Sequence, residues 1–166
     1  VSEWLPASNT IIFDEAHQLP DTASLFFGQT VSTAQLIELA RDTRLEAAAA
    51  AKEYAALPDA AQALDKAARD LRLTFKEETG RFAFHALERN REFNPALKTL
   101  LEQLAALETV LKSQAERSEG LEKCRQRTQA LAEQLRHWRD RDDPEFVRWL
   151  ELFNHALYLN ATPLSI

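Results

Sequence analysis

Two leucine-rich stretches in the second half of the chain constrain its fold most. The first carries apolar side chains at alternating spacings of three and four residues, which places them on one face of an α-helix. These are Leu97, Leu100, Leu104, Leu107 and Leu111. The second stretch carries a similar stripe, formed by Leu121, Cys124, Thr128, Leu131, Leu135 and Trp138. Stripes of this kind form the core of most helical proteins, so the sequence predicts two long helices that pack through them.

The pattern weakens between the two stretches, over the residues KSQAERSEG at 112–120. A single helix through both would have about 45 residues and a length of about 68 Å. Gly120 lies near the weak point and favours an antiparallel helical hairpin instead. Whether residues 111–121 form a turn or continue the helix stays open at this stage.

Two further helices are predicted before the leucine stretches. Ser32 and Gln35 have the spacing of a capping box and open the first, whose apolar positions Leu36, Leu39, Ala40 and Thr43 recur at helical spacing. Pro58 is expected to end this helix. Asp59 and Gln62 form the pattern of a second capping box.

The second helix is expected to end near Gly80, with an apolar stripe that reaches Phe75. The leucine stretch that follows has Asn94 and Pro95 as a favourable N-cap and first residue.

Both ends of the chain have a different character. Residues 10–14, TIIFD, form a short apolar run typical of a buried parallel strand. Near the other end, Phe146 to Phe153 and Ala156 to Asn160 fit a β-hairpin, although Asp143 with Pro144 fits the start of a short helix equally well. We therefore expect a mainly α fold: a helical insertion of antiparallel helices with short β segments at both ends, which belong to the sheet of a larger motor domain.

Composition limits the classes of function. Ala, Leu, Glu, Gln and Arg are abundant, and the chain has three glycines and no methionine, which suggests a helical piece of a longer protein. No apolar run approaches the roughly 20 residues that span a bilayer, so no membrane contact is expected. Cys124 has no cysteine partner, and the four histidines show no metal-binding spacing.

The net charge of −6 hides a local excess of positive charge. Residues 112–141 contain eight Lys or Arg and five Asp or Glu. A protein that binds nucleic acid over its whole surface is normally basic overall. Any contact with nucleic acid is therefore expected to be local.

The sequence IIFDEAHQLP at residues 11–20 carries the strongest chemical signal. A nucleotide-hydrolysing motor needs one carboxylate that holds Mg²⁺ and a second that orients the attacking water, both at the end of a buried strand. Asp14 and Glu15 meet that requirement, and His17 is placed to sense the phosphate or to couple the site to a neighbouring motif. An acidic turn after a strand is the alternative interpretation.

The segment NTIIFDEAHQLPDTASLFFG resembles motif II of the DinG/YoaA branch of the XPD-like superfamily 2 DNA helicases, and LYLNATPLSI resembles the segment by which their chain returns to the motor. Between the two, that family carries a helical insertion, the Arch domain. The resemblance implies an ATP-dependent 5′-to-3′ DNA helicase of replication or repair in the bacterial cytoplasm. It assigns Asp14, Glu15, Ala16 and His17 to motif II, and the helical body to the Arch domain by architecture only.

The same resemblance implies three parts: residues 1–30 with the DEAH strand, a helical Arch domain at 31–142, and a return segment at 143–166. It implies ATP and Mg²⁺ as cofactors, and a 4Fe-4S cluster whose cysteines lie outside this chain. No GxxxxGK[ST] phosphate loop is present. We therefore expect no ATP hydrolysis by this chain alone, and partners that include single-stranded DNA and the rest of the motor.

Two segments are candidates for DNA contact. Residues 117–141 supply cations for phosphates and Trp138 for base stacking; the cations are Arg125, Arg127, Arg136, Arg139 and Arg141. The alternative is a solvated helix face with Trp138 in the core. Residues 74–93 combine Phe82, Phe84 and His85 with arginines, as a DNA-contacting loop or the core-facing end of a hairpin.

A function of another class is a helical module that recruits a replication or repair protein. An exposed leucine or aromatic patch would favour that function. An exposed stripe of arginine and aromatic residues would favour DNA.

Overall fold

The computed structural model describes residues 28–164, which form a mainly α fold with one small sheet. The helices are α1 (Thr33–Ala50), α2 (Ala56–Leu73), α3 (Phe93–Gln114) and α4 (Glu119–Asp140). The strands are β1 (Gln29–Ser32), β2 (Gly80–Ala83), β3 (Phe146–Phe153) and β4 (Ala156–Pro163). Short 3₁₀ turns occupy Phe84–Arg89 and Ala115–Arg117.

The two leucine stretches form the helical hairpin α3–α4. All five leucines of the first stripe are buried, and the second stripe is buried except for Leu131, which is partly exposed. The chain turns at Ala115–Arg117, and the Ser118 hydroxyl then caps α4 by accepting a hydrogen bond from the Leu121 amide at 3.0 Å. Residues 111–121 are therefore a turn and not a continuous helix. Helix α3 begins at Phe93, one residue before the expected cap.

The predicted start of α1 is confirmed, but its end is earlier than expected. Ser32 and Gln35 form a complete capping box. The helix ends at Ala50, eight residues before Pro58, and α2 begins at Ala56 with Pro58 inside its first turn. Proline is tolerated there because the first four amides of a helix have no intrahelical acceptor. The predicted capping box of Asp59 and Gln62 is therefore wrong.

Helix α2 also ends early, at Leu73 instead of near Gly80. The Thr74 hydroxyl donates to the Leu71 carbonyl at 2.7 Å, and the Arg72 guanidinium donates to the carbonyls of Phe75 and Glu77. The first bond satisfies a carbonyl that the helix leaves open at its C-terminus, and the other two hold the chain that follows the helix. The chain is then free to form β2, a strand that the sequence pattern did not reveal.

The four strands form an antiparallel sheet in the order β1-β4-β3-β2. Strands β3 and β4 are the hairpin expected from the sequence, so the alternative of a short helix at Asp143 and Pro144 is wrong. Asn154 and His155 make the turn, both with positive φ. At the opposite end of the hairpin, β1 begins beside the end of β4, with Gln29 paired to Ala161.

One hydrophobic core joins the helices and the sheet. Leu150, Leu152, Leu157 and Leu159 point from one face of the sheet into the cluster that also holds the leucines of α1 to α4. The return segment expected at residues 143–166 therefore shares its core with the helices, as far as residue 164. In the described residues, strands and helices form one folded body.

Candidate nucleic-acid interface

Asp14, Glu15 and His17, which the sequence predicts to belong to motif II, lie outside the described residues. The structure does describe the residues predicted to contact DNA, which lie on α4 and beside it.

Arg125 lies on α4 and is held by its own helix. Its Nε and Nη2 atoms donate to the two carboxylate oxygens of Glu122 at 2.8 Å each, and Nη1 donates to Gln129 at 3.0 Å. The hydrogen bonds from Arg125, and next that from Gln126, lower the pKa of the Glu122 carboxyl to about 2. The pKa of Arg125 is raised by the same pairing with Glu122. Its charge is thus largely neutralised in place.

Arg127 bridges two helices. Its Nη1 atom donates to the Asp42 carboxylate of α1 at 2.9 Å, and its side chain is about half-buried. The pair ties α4 to α1 on the side of the bundle where both helices meet solvent. Such a pair competes with any phosphate for the same guanidinium.

Arg136 and Arg139 are both exposed near the C-terminal end of α4. Arg139 pairs with its neighbour Asp140, and the hydrogen bonds between them raise the pKa of Arg139 and lower the pKa of Asp140. Among residues 28–164, no hydrogen bond or ion pair holds the Arg136 side chain. Arg136 is therefore the guanidinium of the predicted set that is best placed to meet a phosphate.

Trp138 lies in the core, with 4% of its surface exposed. Its indole N–H donates to the Asn160 carbonyl at 2.8 Å, and its ring packs edge-on against Phe84 and Phe93 at centroid distances of 5.3 and 6.3 Å. No face of the ring is open to a base in this conformation. We therefore remove Trp138 from the candidate DNA contacts.

Arg141, at the end of α4, is also withdrawn from solvent, with 9% of its surface exposed. Its guanidinium lies 4.0 Å from the centroid of the Phe146 ring and donates to the Gln29 side chain at 3.3 Å. Burial lowers the pKa of this guanidinium, an effect that Asp143 partly offsets. Arg141 joins α4 to the sheet and is removed from the candidates as well.

Sequence reasoning missed Arg148 of β3, which holds the end of α4. Its Nη1 atom donates to the carbonyls of Trp138 and Arg139 at 2.9 and 2.8 Å, and its guanidinium lies 3.6 Å from the centroid of the Phe84 ring. Burial is the main cause that lowers its pKa. The alternation along β3 places Arg148 on the same face as Leu150 and Leu152. This pattern in the sequence could have predicted that Arg148 faces the core and not solvent.

The second candidate segment, residues 74–93, has two sides. Its aromatic residues face the core: Phe82 packs against Phe75 at a centroid distance of 5.2 Å, and Phe84 against Trp138. Its arginines Arg81, Arg89 and Arg91 are exposed. Arg81 pairs with Glu151 at 3.4 Å across the sheet and lies over the Trp149 ring.

No candidate metal centre forms among residues 28–164. No group of three or more His, Cys, Asp or Glu side chains in this part of the chain is arranged to hold a metal ion. Cys124 is buried, and burial is the main cause that raises the pKa of its thiol. A thiol of this kind is a poor nucleophile.

Exposed apolar side chains are scattered over the described body. They are Leu45, Leu73, Val147, Phe153 and Leu164. No helix carries more than one of them, so residues 28–164 present no helical apolar patch of the kind that a protein-docking module needs. Among the described helices, none combines the length and the apolarity that crossing a bilayer requires.

Comparison with known proteins found no matching family model. It found two similar curated proteins, both named ATP-dependent DNA helicase YoaA. The chain is 32% identical over 164 residues to the protein of Escherichia coli (strain K12), and 30% identical over 165 residues to that of Haemophilus influenzae (strain ATCC 51907 / DSM 11121 / KW20 / Rd). Each alignment covers 99% of this chain and 26% of the relative. The resemblance to the DinG/YoaA helicases is confirmed, and the chain is a relative of the YoaA proteins that spans about a quarter of their length.

Proposed function

We propose that this chain is the Arch-domain region, with motif II, of an ATP-dependent 5′-to-3′ DNA helicase of the DinG/YoaA type. The observation that carries the proposal is the alignment of 99% of the chain to two proteins named as ATP-dependent DNA helicases. The residues Asp14-Glu15-Ala16-His17 support it, because they have the composition of motif II. The whole enzyme would act on DNA in replication or repair, in the bacterial cytoplasm.

In that enzyme, motif II contributes to ATP hydrolysis. Two adjacent carboxylates after a strand are suitable oxygen ligands for Mg²⁺ and for the attacking water. Asp14 would hold the metal bound to ATP, Glu15 would orient the water, and His17 would couple the site to the rest of the motor. The phosphate loop and the cysteines of the implied 4Fe-4S cluster would come from other parts of the helicase.

The pairing of β1 with β4 supports an insertion into a larger domain. Gly28 lies against Thr162, and Gln29 pairs with Ala161, so the described body begins and ends on neighbouring strands. A body with adjacent ends interrupts a host domain with little distortion. We propose that the inserted unit includes β1, β3 and β4 in addition to the helical part expected at 31–142.

The inserted unit would guide the single strand of DNA. Arg136 and Arg139 carry this proposal, because both are exposed at the same end of α4. Arg139 has an ion-pair partner, Asp140, whereas Arg136 has none among the described residues. Phosphate contacts of this kind position a strand without reading its sequence. The overall charge of −6 agrees with a local contact.

Binding of a fluorescein-labelled dT15 oligonucleotide to the 166-residue chain, followed by anisotropy across a salt series, tests this role. We expect Arg136→Gln with Arg139→Gln to weaken binding and to lower the slope of log affinity against log salt by about 0.7 for each phosphate that the variant no longer neutralises. The control is Lys66→Gln with Lys98→Gln, which removes the same charge from exposed positions on α2 and α3. An equal fall in affinity in both double variants would contradict a specific role for the end of α4.

The catalytic part of the proposal needs the whole helicase. We expect Glu15→Gln in that protein to abolish DNA-stimulated ATP hydrolysis, with ATP binding retained. The isolated chain should not hydrolyse ATP. Undiminished hydrolysis by the Glu15→Gln enzyme would reject the assignment of motif II.

A further inference from the structure

A cleft of about 420 Å³ lies at the end of the body where β3 turns into β4. Three elements form it: the first turns of α1, the C-terminal part of α2 and the hairpin turn at Asn154 and His155. Its volume lies within the range of about 300–1,000 Å³ that is typical of ligand clefts. None of the residues predicted from the sequence to touch DNA lines it.

Positive charge converges on this cleft from two helices. Arg41 of α1 and Arg69 of α2 both line it, and each side chain is 61% exposed. Arg41 makes two long ion pairs, with Glu38 at 3.5 Å and with Asp42 at 3.8 Å. Asp42 makes its shorter contact with Arg127, at 2.9 Å.

Arg69 uses one of its nitrogens. Its Nε atom donates to Asp65 at 2.5 Å, which leaves the two terminal nitrogens for another acceptor. Glu38 is the one carboxylate among the lining residues, so the cleft has more cations than anions. Guanidinium groups with open donors are well suited to the oxygens of a phosphate.

The hairpin turn contributes a residue in an unfavourable conformation. Asn154 and His155 have φ values of 53° and 65°, as in a two-residue turn whose second position strongly favours glycine. A histidine there has a cost that glycine would avoid. His155 lines the cleft, and an imidazole ring is able to donate a hydrogen bond to a ligand.

An exposed aromatic ring stands beside the same turn. Phe153 directly precedes Asn154, and 59% of its surface is exposed. Its side chain lies on the face of the sheet opposite to the core, because its neighbours Leu152 and Leu150 alternate into the core. An exposed ring beside a turn that lines an arginine-bearing cleft would provide the two kinds of contact that one nucleotide needs.

We propose that this cleft binds a backbone phosphate of single-stranded DNA through Arg41, Arg69 and His155, with Phe153 available to an adjacent base. The inference rests on the proposed DNA-guiding function and adds a second contact to it. Arg148 of β3 donates a hydrogen bond to a carbonyl at the end of α4, and Asn154 of the cleft follows it by six residues. That separation corresponds to about 20 Å of strand, so a short single strand would reach from the end of α4 to the cleft.

The test is binding of fluorescein-labelled dT15 by the 166-residue chain and two sets of variants. We expect Arg41→Gln with Arg69→Gln to weaken binding at least threefold and to lower the slope of log affinity against log salt by about 0.7, as expected when one phosphate is no longer neutralised. His155→Gly should also weaken binding while it raises the thermal unfolding midpoint, because glycine relieves the turn. A residue with a purely structural role in the turn would change the midpoint and leave the affinity unchanged.

The control double variant Lys66→Gln with Lys98→Gln separates local from general charge effects. If both double variants lose affinity equally, or if neither cleft variant loses any, the cleft is rejected while the contact at Arg136 and Arg139 stands on its own test. If the unmodified chain does not bind dT15 at low salt, the proposed DNA contact and the cleft are rejected together.

Inorganic phosphate distinguishes a strand site from a site for a free anion. Titration with phosphate, followed by the NMR signals of the His155 ring, should show weak binding that dT15 displaces. Tight phosphate binding that dT15 does not displace would overturn the assignment to DNA.

Discussion

The indole N–H of Trp138 donates a 2.8 Å hydrogen bond to the backbone carbonyl of Asn160, which fastens the last turn of α4 to the central strand β4. Trp138, which the sequence predicted to stack on a base, therefore connects the helical hairpin to the sheet. Its role predicts a loss of stability on substitution, not a loss of DNA affinity.

We expect Trp138→Ala to lower the free energy of unfolding by about 3–5 kcal/mol, as for other large aromatic side chains removed from a core. Trp138→Phe should cost less, about 1–3 kcal/mol, because it keeps most of the packing and leaves the Asn160 carbonyl without its donor. Urea unfolding followed by circular dichroism measures both. A marked fall in dT15 affinity of the folded Trp138→Phe protein, with unchanged stability, would restore the base-stacking role.

Arg148 is expected to stabilise the junction of α4 and β3. Its guanidinium satisfies two carbonyls at the end of α4 and lies over the Phe84 ring. Arg148→Met should lower the free energy of unfolding by about 1–3 kcal/mol, since it removes both the charged donor to the helix end and the cation over the ring. The free energy of unfolding of Arg148→Lys should lie between those of the unmodified protein and Arg148→Met, because lysine keeps the charge and lacks the planar donor group. Equal stability of all three proteins by urea unfolding would contradict this role.

The pair Glu122–Arg125 predicts a pH dependence. The pKa of Glu122 in the folded chain is about 2, below the value of 4.5 for an unperturbed glutamate. A lowered pKa means that the unfolded chain binds the proton more readily, so the stabilisation is present above about pH 4.5 and is lost as the pH falls towards 2. The carboxylate is partly exposed to solvent, so the effect on stability should be small.

Glu122→Gln is therefore expected to flatten the fall of the urea midpoint between pH 4.5 and pH 2.5, without changing the shape of the curve above pH 6. Glu119→Gln, in the same first turn of α4, is the matched control. If Glu122→Gln and Glu119→Gln show the same dependence of the urea midpoint on pH, the hydrogen bonds between Glu122 and Arg125 are not the cause of the loss of stability at low pH.

Two glycines give a paired prediction about backbone conformation. Gly80 begins β2 with φ +147°, and a Cβ there would lie 3.1 Å from the Phe82 ring. Gly80→Ala should therefore cost about 1–3 kcal/mol, as for other side chains forced into rare backbone conformations.

Gly120 is the control, in the first turn of α4. A Cβ there would meet the Glu46 carboxylate, the mobile end of a flexible side chain that is able to move aside. Alanine also has a higher helix propensity than glycine, by about 1 kcal/mol. Gly120→Ala is thus expected to change stability by less than about 1 kcal/mol. Thermal unfolding of the two variants side by side tests the contrast, and a larger destabilisation at Gly120 would reverse it.

By itself, the sequence determined the features that depend on local pattern. The leucine stripes of α3 and α4 and the capping box of Ser32 and Gln35 follow from side-chain periodicity and cap chemistry, which act within a few residues. The β3–β4 hairpin was one of two interpretations that fitted its residues, and the structure decided between them. The sequence alone also predicted that Asp14 and Glu15 belong to motif II, and it revealed the resemblance to the DinG/YoaA helicases.

Only the tertiary structure decided which side chains are free to bind. Arg125, Arg127, Trp138 and Arg141 all resemble DNA ligands in the sequence, yet each is held by a partner or buried. The ends of α1 and α2, the strand β2, and the cleft between Arg41, Arg69 and His155 also depend on residues far apart in the chain. Periodicity reports which face of an element is apolar, whereas exposure and pairing depend on what packs against that face once the whole chain has folded.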